Sequence, residues 1–323
     1  MEKHWKTFLL RRLPLAILAI AVLAEGSATI LEDSRPLRHP LDRLIVSLYD
    51  MTGDADILLF GDSVTQDVAG QYALDGRNTV ANLTTNKASA LIGAYFLLRR
   101  YLEIHRPPSS IVIASTPEFF AYTPEPATAA LYLSSVFTDS SEVSDLKLAG
   151  LAPRPKYWKP AILEIERRIF DRIVGRVFNS ATANPGELAD PDIYKVPEGP
   201  GGNAVEASEL TGRQMAILNV APNARFALQR ICTLASRFDI SLEIIWAPVP
   251  QSVYAAWESD RRLERLQERI GRIAEDLCPP LAFANTNESQ TFPDHAFRDP
   301  DHLRRPGWAA LYGRLLRERL QGL

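Results

Sequence analysis

Ser63 lies at a junction in the sequence where a serine hydroxyl can act as a nucleophile. It ends the tripeptide Gly61-Asp62-Ser63, which follows the apolar run Leu58 to Phe60 and precedes residues that can open a helix. At such a strand-to-helix junction, free backbone N–H groups and the positive helix end can stabilise an oxyanion. Gly61 would let the backbone turn tightly, and Asp62 would hold the turn through hydrogen bonds to backbone amides. The alternative is an ordinary turn in which the serine only caps the helix.

Asp299 and His302, near the other end of the chain, have the side chains that would activate such a serine. A serine hydroxyl is a poor nucleophile until a base takes its proton, and an imidazole base needs a carboxylate to fix its tautomer. The two residues share one short loop, and the final helix begins soon after it, at Pro306 to Trp308. The whole chain has five histidines, so this arrangement is fairly specific. It predicts His302 as the general base and Asp299 as its partner, against the alternative of a surface histidine in a polar loop.

Neighbouring residues in the same part of the chain compete for these roles. Asp294 and His295 form a second Asp/His pair, but adjacent side chains point in different directions and no helix start follows them. Asp301 directly precedes His302 and is a rival carboxylate for its imidazole. The sequence alone leaves both alternatives open.

The elements that would position these residues alternate between strands and helices. Short apolar runs bounded by turn residues predict strands over residues 56–60, 79–83, 110–115, 241–246 and 281–284. A short amphipathic segment covers 41–49, and helical patterns cover 87–104, 223–238, 253–277 and 306–320. Such alternation implies parallel pairing, because each helical crossover buries its apolar stripe on the sheet. The sequence therefore predicts an α/β protein, a three-layer α/β/α sandwich with a mainly parallel sheet, whose sites form beyond the carboxyl ends of the strands.

The alternation is interrupted between Thr116 and about Gly212. Helical patterns occur there near 127–137 and 157–178, and a loop rich in Pro, Gly, Asn and Ala follows over 179–207. A loop of that length usually forms a functional lid or a mobile surface segment. We therefore predict one α/β domain over residues 32–323, with a largely helical insertion at about 117–212.

Residues 1–31 have the charge and hydropathy pattern of a segment that directs a chain to a membrane. Four basic residues against one acidic residue precede an uncharged apolar run of twelve, Leu13 to Ala24, and this order holds an N-terminus in the cytoplasm while the rest is exported. The run suits a signal peptide cleaved after small residues, whereas a helix from Leu13 to Leu31 would be about 28 Å long and would just cross the hydrocarbon. A buried first helix is the remaining alternative. We predict a membrane anchor with the body extracytoplasmic, periplasmic or at the cell surface, or else secretion after cleavage.

Together these motifs resemble the SGNH (GDSL-type) hydrolase superfamily. The resemblance rests on Gly61-Asp62-Ser63, on the Asp299-x-x-His302 pair before the last helix and on the alternation between them, and it covers roughly residues 55–321 apart from the insertion. It implies a flavodoxin-like sheet with Ser63 as nucleophile, His302 as general base and Asp299 as its partner. A membrane segment ahead of such a domain further resembles extracytoplasmic proteins that acylate or deacylate bacterial exopolysaccharides and cell-wall polymers.

The chain departs from this family where the oxyanion hole is expected. The family adds a glycine N–H and an asparagine side chain, but Asn82 to Asn86 contains no glycine and no Gly-x-Asn follows the third strand. The departure favours membrane-tethered, acyltransferase-like branches over free esterases, and it leaves room for an inactive relative. The oxyanion and binding residues that we predict are Gly61, Asp62, the N–H groups of Ser63 and Thr84, and the side chain of Asn86 or Asn82.

Composition and charge exclude several other classes. At 323 residues, 46% apolar and 23% charged, the chain is globular, and its net charge of -3 provides no positive excess for a nucleic-acid backbone. The sequence contains neither a Gly-x-Gly-x-x-Gly nor a Gly-x-x-x-x-Gly-Lys-Ser/Thr pattern, which disfavours a nucleotide or phosphate binder. Cys232 and Cys278 have no zinc-ligand spacing; we interpret them as buried thiols, or as a disulfide if the chain is exported and they lie close together.

The sequence thus predicts serine-dependent acyl transfer or ester hydrolysis, without a cofactor or a metal. The expected substrate is an O-acylated cell-surface or exported polysaccharide, or a small ester, with a membrane contact through the N-terminal helix and no nucleic-acid partner. The alternative is a catalytically inactive carbohydrate-binding or assembly subunit with the same fold. Phe119, Phe120 and Tyr122 could stack on sugar rings, although such aromatics more often fill a core, and Trp246 is expected at the rim of the cleft.

Overall fold

The structure of the protein, a computed structural model, describes residues 40–51, 53–72, 79–134, 136–151, 205 and 207–323. The segment predicted at 1–31, the helix predicted at 157–178 and nearly all of the loop predicted at 179–207 lie outside the described residues. Within the described residues, no helix is both long and apolar enough to cross a bilayer.

Five strands in the described part of the chain form a parallel sheet in the order β2-β1-β3-β4-β5. The strands are β1 (Ile57–Gly61), β2 (Val80–Asn82), β3 (Ser110–Ser115), β4 (Ser241–Trp246) and β5 (Leu281–Asn285). Each strand begins and ends within one residue of its predicted bounds, and β2 is one residue shorter at both ends. The predicted α/β class, the parallel pairing and the flavodoxin-like strand order are confirmed.

Helices cover both faces of this sheet and produce the three layers. The helices are α1 (Pro40–Asp50), α2 (Ser63–Tyr72), α3 (Ala90–Ile104), α4 (Glu118–Ala121), α5 (Pro126–Ala129), α6 (Ser140–Leu148), α7 (Ala207–Gln214), α8 (Pro222–Phe238), α9 (Gln251–Ser259), α10 (Arg262–Ala274), α11 (Thr286–Ser289) and α12 (Gly307–Gln321). Alternate side chains of β1 enter opposite cores, because successive residues of a strand point to opposite faces. Leu58 packs in the core beneath α3, α8 and α10, whereas Leu59 packs in the core beneath α2 and α12.

Two predicted helices differ from the observed elements. The helix predicted over 253–277 is divided into α9 and α10, because Arg261 between them has a left-handed backbone, with φ of 53°. The helix predicted over 87–104 begins as a 3-10 turn, Lys87–Ser89, and becomes α3 at Ala90, whose φ of 48° marks the change. The apolar stripes that predicted both helices are buried, so the sequence pattern identified the faces but not the breaks.

Helix α6, in the first part of the predicted insertion, is held to α3 by buried charge. The Glu142 carboxylate is fully buried and accepts two hydrogen bonds from the Arg100 guanidinium, at 2.9 and 3.0 Å. The Tyr95 hydroxyl donates to Asp145 on the same helix at 2.8 Å. These bonds satisfy polar groups that would be costly to bury alone.

Cys232 and Cys278 form a disulfide that joins α8 to the segment after α10. The Cα atoms are 4.4 Å apart and the bond closes a sequence separation of 46 residues. The sequence left two states open, and we favoured buried thiols. The structure has the disulfide instead. It ties α8 to the segment between α10 and β5.

Candidate active site

The strand order places one junction at the centre of the sheet. Strands β1 and β3 are hydrogen-bonded neighbours, although β2 lies between them in the sequence. Crevices at such switch points, beyond the carboxyl ends of the strands, are where open α/β sheets bind ligands. Ser63 follows β1 and Thr116 follows β3, so both lie at this point.

Gly61 is required by the close approach of the two central strands. A Cβ atom at this position would lie 2.0 Å from the carbonyl oxygen of Ala114 on β3. No larger residue fits there unless the backbone shifts. The prediction that this position needs a glycine has a specific structural reason, which is strand contact in addition to the turn.

Asp62 connects the nucleophile helix to β3. Its Oδ1 accepts from the N–H groups of Val64 at 3.1 Å and Thr65 at 3.4 Å, which caps α2. Its Oδ2 accepts from the backbone N–H and the hydroxyl of Thr116, both at 2.8 Å. Burial raises the pKa of this carboxyl, and the bonds from Thr116 and Thr65 oppose the rise. Asp62 is thus a buried structural group that fixes Ser63 and leaves the Ser63 N–H, at the first position of α2, directed out of the helix end.

Ser63, His302 and Asp299 form a continuous hydrogen-bonded chain. The His302 Nε2 atom lies 2.9 Å from the Ser63 Oγ atom. The Nδ1 atom of the same ring lies 2.9 and 3.0 Å from the two carboxylate oxygens of Asp299. Asp299 also accepts from the backbone N–H groups of His302 at 2.8 Å and Asp301 at 2.9 Å. The structure brings together the three residues that the sequence predicted, with the geometry of a nucleophile, a base and an orienting carboxylate.

The charged groups around His302 favour a protonated imidazole beside an ionised carboxylate. Partial burial alone would lower the pKa of His302, but the hydrogen bond and charge of Asp299, with the charge of Asp67, raise it above its ordinary value. Burial alone would raise the pKa of Asp299, but its bonds with His302 lower it to about 2. Asp299 is therefore ionised over the whole range in which His302 titrates.

The competing residues have other partners. Asp294 accepts from the backbone N–H of Ser252 at 2.9 Å and so binds the start of α9. His295 is exposed, with its ring 6.0 Å from that of Trp308. Asp301 lies 3.4 Å from the Arg213 guanidinium. The position next to Ser63 is occupied by His302, and Asp299 is the carboxylate on its ring.

Arg213, at the end of α7, was not among the predicted site residues. Its Nε donates to the Glu118 carboxylate at 2.7 Å, and its Nη1 donates to the carbonyl of Pro300, between Asp299 and His302. Its indole neighbour, Trp257, donates to the Arg213 carbonyl at 3.1 Å. The side chains of Arg213 and Glu118 are 11% and 12% exposed, so the pair is largely desolvated. Arg213 therefore ties the loop of the Asp–His pair to the start of α4, the helix that follows β3.

Asp67, one turn after Ser63 on α2, makes a second connection to the same loop. Its carboxylate accepts from Arg298 at 2.7 Å and lies 2.8 Å from Arg305. No local sequence signal indicates either Asp67 or Arg213, because their partners lie far away along the chain. Only the fold brings them to the site.

The predicted oxyanion donors are arranged unequally. The N–H groups of Val64 and Thr65 are occupied by Asp62, whereas Ser63 has no intrahelical acceptor. The Thr84 N–H already donates to Asn82 Oδ1 at 3.1 Å. The Asn86 side chain accepts from the Ala88 N–H at 3.1 Å and caps the 3-10 turn. The roles predicted for Thr84, Asn86 and Asn82 stay predictions, and the Ser63 N–H is the donor that the geometry favours.

The aromatic residues after β3 and β4 belong mostly to the core. Phe119 and Phe120 are buried, and the Phe120 and Trp246 rings are 5.5 Å apart. The expectation of Trp246 at a cleft rim is wrong, because its side chain turns into the core against Phe120 and Phe283. Tyr122 is half-buried, and the ammonium of Lys87 lies 5.5 Å from its ring centre.

A cleft beside the site is formed by α7, α9 and the 3-10 turn Asp294–Ala296. Its volume is about 580 Å³. The lining residues are Val205, Leu210, Gln251, Ser252, Ala255, Asp294 and His295. It borders the loop that carries His302, while Ser63 lies at the junction of β1 and α2. Within the described ranges, no group of three or more His, Cys, Asp or Glu residues is arranged to hold a metal ion.

Comparisons with known proteins add little to this geometry. No family model matches the chain, and no curated protein matches it. It is similar to a solved structure described provisionally as a platelet activating factor from Streptococcus pneumonia, with 11% identity and a TM-score of 0.36 over 96% of this chain and 99% of the other. At that level of similarity, the interpretation of the site rests on its own residues.

Proposed function

We propose that the protein is a serine-dependent acyl-transfer enzyme, an esterase or an O-acyltransferase. The observation that carries the proposal is the unbroken hydrogen-bonded chain from Ser63 through His302 to Asp299 at the switch point of the sheet. Each residue has the chemistry that its place in the chain requires: a hydroxyl nucleophile, an imidazole base and an ionised carboxylate. The resemblance to SGNH hydrolases assigns the same roles.

The reaction proceeds in two acyl transfers. The Ser63 Oγ atom attacks the ester carbonyl carbon while His302 Nε2 takes the hydroxyl proton, and the Asp299 carboxylate stabilises the imidazolium that forms. The carbonyl oxygen becomes an oxyanion held by the Ser63 N–H at the positive end of α2. When the tetrahedral intermediate collapses, the alcohol leaves with the proton from His302 and the acyl group remains on Ser63. His302 then takes a proton from water or a sugar hydroxyl as that oxygen attacks the acyl carbonyl carbon, and it returns the proton to the Ser63 Oγ atom as the acyl–serine bond breaks.

The substrate that we propose is an O-acylated exported or cell-surface polysaccharide, or a small ester. This part of the proposal depends on an extracytoplasmic location, which the charge pattern of residues 1–31 supports. The Cys232–Cys278 disulfide supports it independently, since disulfides persist in oxidising compartments. Neither observation identifies the acyl group or the sugar.

One observation favours the alternative of an inactive carbohydrate-binding or assembly subunit. The Thr84 N–H, which was expected to add a second oxyanion donor, is hydrogen-bonded to Asn82. Loss of one such donor costs about 10²- to 10³-fold in kcat in other enzymes. A protein of this kind would keep the fold and the Ser63–His302 contact without measurable turnover.

Acetyl release from p-nitrophenyl acetate by the detergent-solubilised full chain tests the proposal. Ser63→Ala and His302→Ala should each lose at least about 10³-fold in kcat/KM. The matched controls are Ser47→Ala, an exposed serine bonded to a carbonyl of its own helix, and His295→Ala, the exposed histidine of the rejected pair. Both controls should keep wild-type rates. Equal rates in the wild type and the two site variants would exclude the acyl-serine mechanism.

An acceptor assay separates transfer from hydrolysis. The full chain is incubated with p-nitrophenyl acetate and an oligosaccharide, and the sugar is examined by mass spectrometry. Acetylated sugar that is absent with Ser63→Ala would identify a transferase. Free acetate with unmodified sugar would identify a hydrolase.

A further inference from the structure

The loop from Arg298 to Arg305 carries both members of the Asp–His pair, and arginines form its two ends. We propose that Asp67 is a positioning residue that fixes this loop on the nucleophile helix by binding both arginines. The proposal rests on the acyl-transfer function proposed above and adds a residue that sequence motifs do not assign to it.

Each oxygen of the Asp67 carboxylate binds a different end of the loop. The Oδ2 atom accepts from Arg298 Nη2 at 2.7 Å, directly before Asp299. The Oδ1 atom lies 2.8 Å from Arg305 Nη2, three residues after His302. A single carboxylate therefore spans the segment that places the imidazole.

Asp67 is also on the correct side of the correct helix. Residues four apart lie on one face of a helix, so Asp67 shares a face of α2 with Ser63. The hydroxyl that must meet His302 and the carboxylate that holds the His302 loop are thus on one rigid element. Any shift of the loop along α2 would change the contact of Arg298 or Arg305 with Asp67 and the Ser63–His302 distance together.

Backbone hydrogen bonds close the base of the loop, among them one from the Arg304 N–H to the Ala296 carbonyl at 2.8 Å. An isolated bridge joins Phe297 to Leu303, with the Arg298 N–H donating to the His302 carbonyl at 2.9 Å. This bridge closes the loop on itself, and the buried side chains of Phe297 and Leu303 anchor its base in the core of α2 and α12. Apolar contacts keep the loop against the core but allow it to slide by a small distance. A carboxylate that binds both ends of the loop fixes the orientation of the loop on α2.

The burial of these groups makes the contacts stronger than ordinary surface pairs. The Asp67, Arg298 and Arg305 side chains are 24%, 33% and 15% exposed. By contrast, the exposed pair of Arg261 and Glu264 at the start of α10 has side chains that are 69% and 48% exposed. Partly buried pairs are screened less by water and salt than exposed ones.

Removal of the Asp67 charge should slow the reaction without unfolding the protein. Displacements of about 1 Å at a catalytic group can cost about 10²-fold in rate, so Asp67→Asn should lower kcat by about ten- to hundredfold with little change in KM. Glu264→Gln, which breaks the exposed pair, is the matched control and should keep the wild-type kcat. Asp67→Glu retains the charge and should recover part of the loss.

The pH profile provides a readout that a merely structural role would not move. The charged groups facing His302 are Asp299, Asp67 and Arg298; the two carboxylates raise its pKa and Arg298 lowers it. Asp67→Asn should therefore move the acid limb of kcat/KM to lower pH, and Arg298→Gln should move it to higher pH. Both variants break the same ion pair, so both should lower kcat while their pH limbs move in opposite directions.

Titration of the His302 imidazole by NMR tests the proposal even if the full chain has no esterase activity. The His302 signals are those that His302→Ala removes. A wild type that is inert toward esters would overturn the proposed function, but opposite pKa changes in Asp67→Asn and Arg298→Gln would still support the contact. Wild-type kcat and an unchanged imidazole titration in a folded Asp67→Asn variant would overturn the role of Asp67.

Discussion

The two halves of the candidate site are held in different ways. The nucleophile half is built from backbone: Gly61 lets β1 approach β3, and Asp62 binds main-chain N–H groups on both sides of the junction. The base half is a loop that the Phe297–Leu303 bridge closes at its base and that charged side chains join to α2 and α7. The serine is thus held by the junction of two sheet strands, whereas the position of the imidazole also depends on ion pairs between its loop and other elements.

The largest effect should come from the carboxylate on the imidazole. Asp299→Asn should lower kcat by about 10²- to 10⁴-fold, because the neutral amide neither stabilises the imidazolium nor fixes the tautomer. Asp301→Asn is the matched control, since Asp301 faces Arg213 and not His302. It should change kcat by less than about fivefold. A larger loss in Asp301→Asn than in Asp299→Asn would reverse the assignment of the two carboxylates.

The contrast between the halves also explains how much could be predicted from the sequence. Strands such as β3 and β4 were predicted with their observed bounds, because apolar runs between turn residues are local signals. Ser63 was found in the same way, since a strand end and a helix start surround it. The pair of Asp299 and His302 was found because its members are three residues apart.

What the sequence did not reveal depends on distant contacts. The Asp67–Arg298 bond joins residues 231 apart, and the Arg213–Glu118 bond joins residues 95 apart. No local periodicity encodes such pairs, and charged residues on helices usually face solvent. The sequence left the state of the two cysteines undecided for the same reason, because only the packing of α8 near the end of α10 brings them together.

Loss of Arg213 should have the next largest effect and should act on the base half. Arg213→Met leaves the Glu118 carboxylate buried without its partner, which should reduce the free energy of unfolding by about 3 kcal/mol. The Pro300 carbonyl also loses its donor, so kcat should fall. Thermal or urea unfolding, together with esterase rates, measures both effects. Arg261→Met, in the exposed pair at the start of α10, should cost less than about 1 kcal/mol; equal costs for the two variants would mean that the Arg213 pair has no special role.

Gly61→Ala tests the nucleophile half. The added Cβ atom would meet the Ala114 carbonyl at 2.0 Å, so the strands must separate, and such overpacking should cost about 1–3 kcal/mol of stability. Gly271→Ala, on α10, meets nothing within 4 Å and should be neutral or stabilising by about 1 kcal/mol. Urea unfolding of both variants gives the comparison. If Gly61→Ala were as stable as Gly271→Ala, strand contact would not be the reason for the glycine.

The smallest expected effect is a displaced pH limb, which reports the electrostatics of the base half alone. His302 must be neutral to accept the Ser63 proton, and Asp299 and Asp67 raise its pKa above the ordinary 6.5. The kcat/KM of the wild type should therefore rise with pH through a midpoint above 6.5. The free energy of unfolding should change with pH in the opposite direction to kcat/KM. The protonated imidazole favours the folded state below pH 6.5, and this contribution is lost as pH rises through the higher folded pKa. The contribution of Asp299 is present above its ordinary pKa of 3.8 and is lost as pH falls toward about 2. His302→Ala should remove the near-neutral part of the stability profile, whereas Ser63→Ala should keep it. A wild-type midpoint at or below 6.5 would show that the two carboxylates do not raise the pKa of the imidazole. Electrostatic contacts would then not distinguish the base half of the site from the nucleophile half.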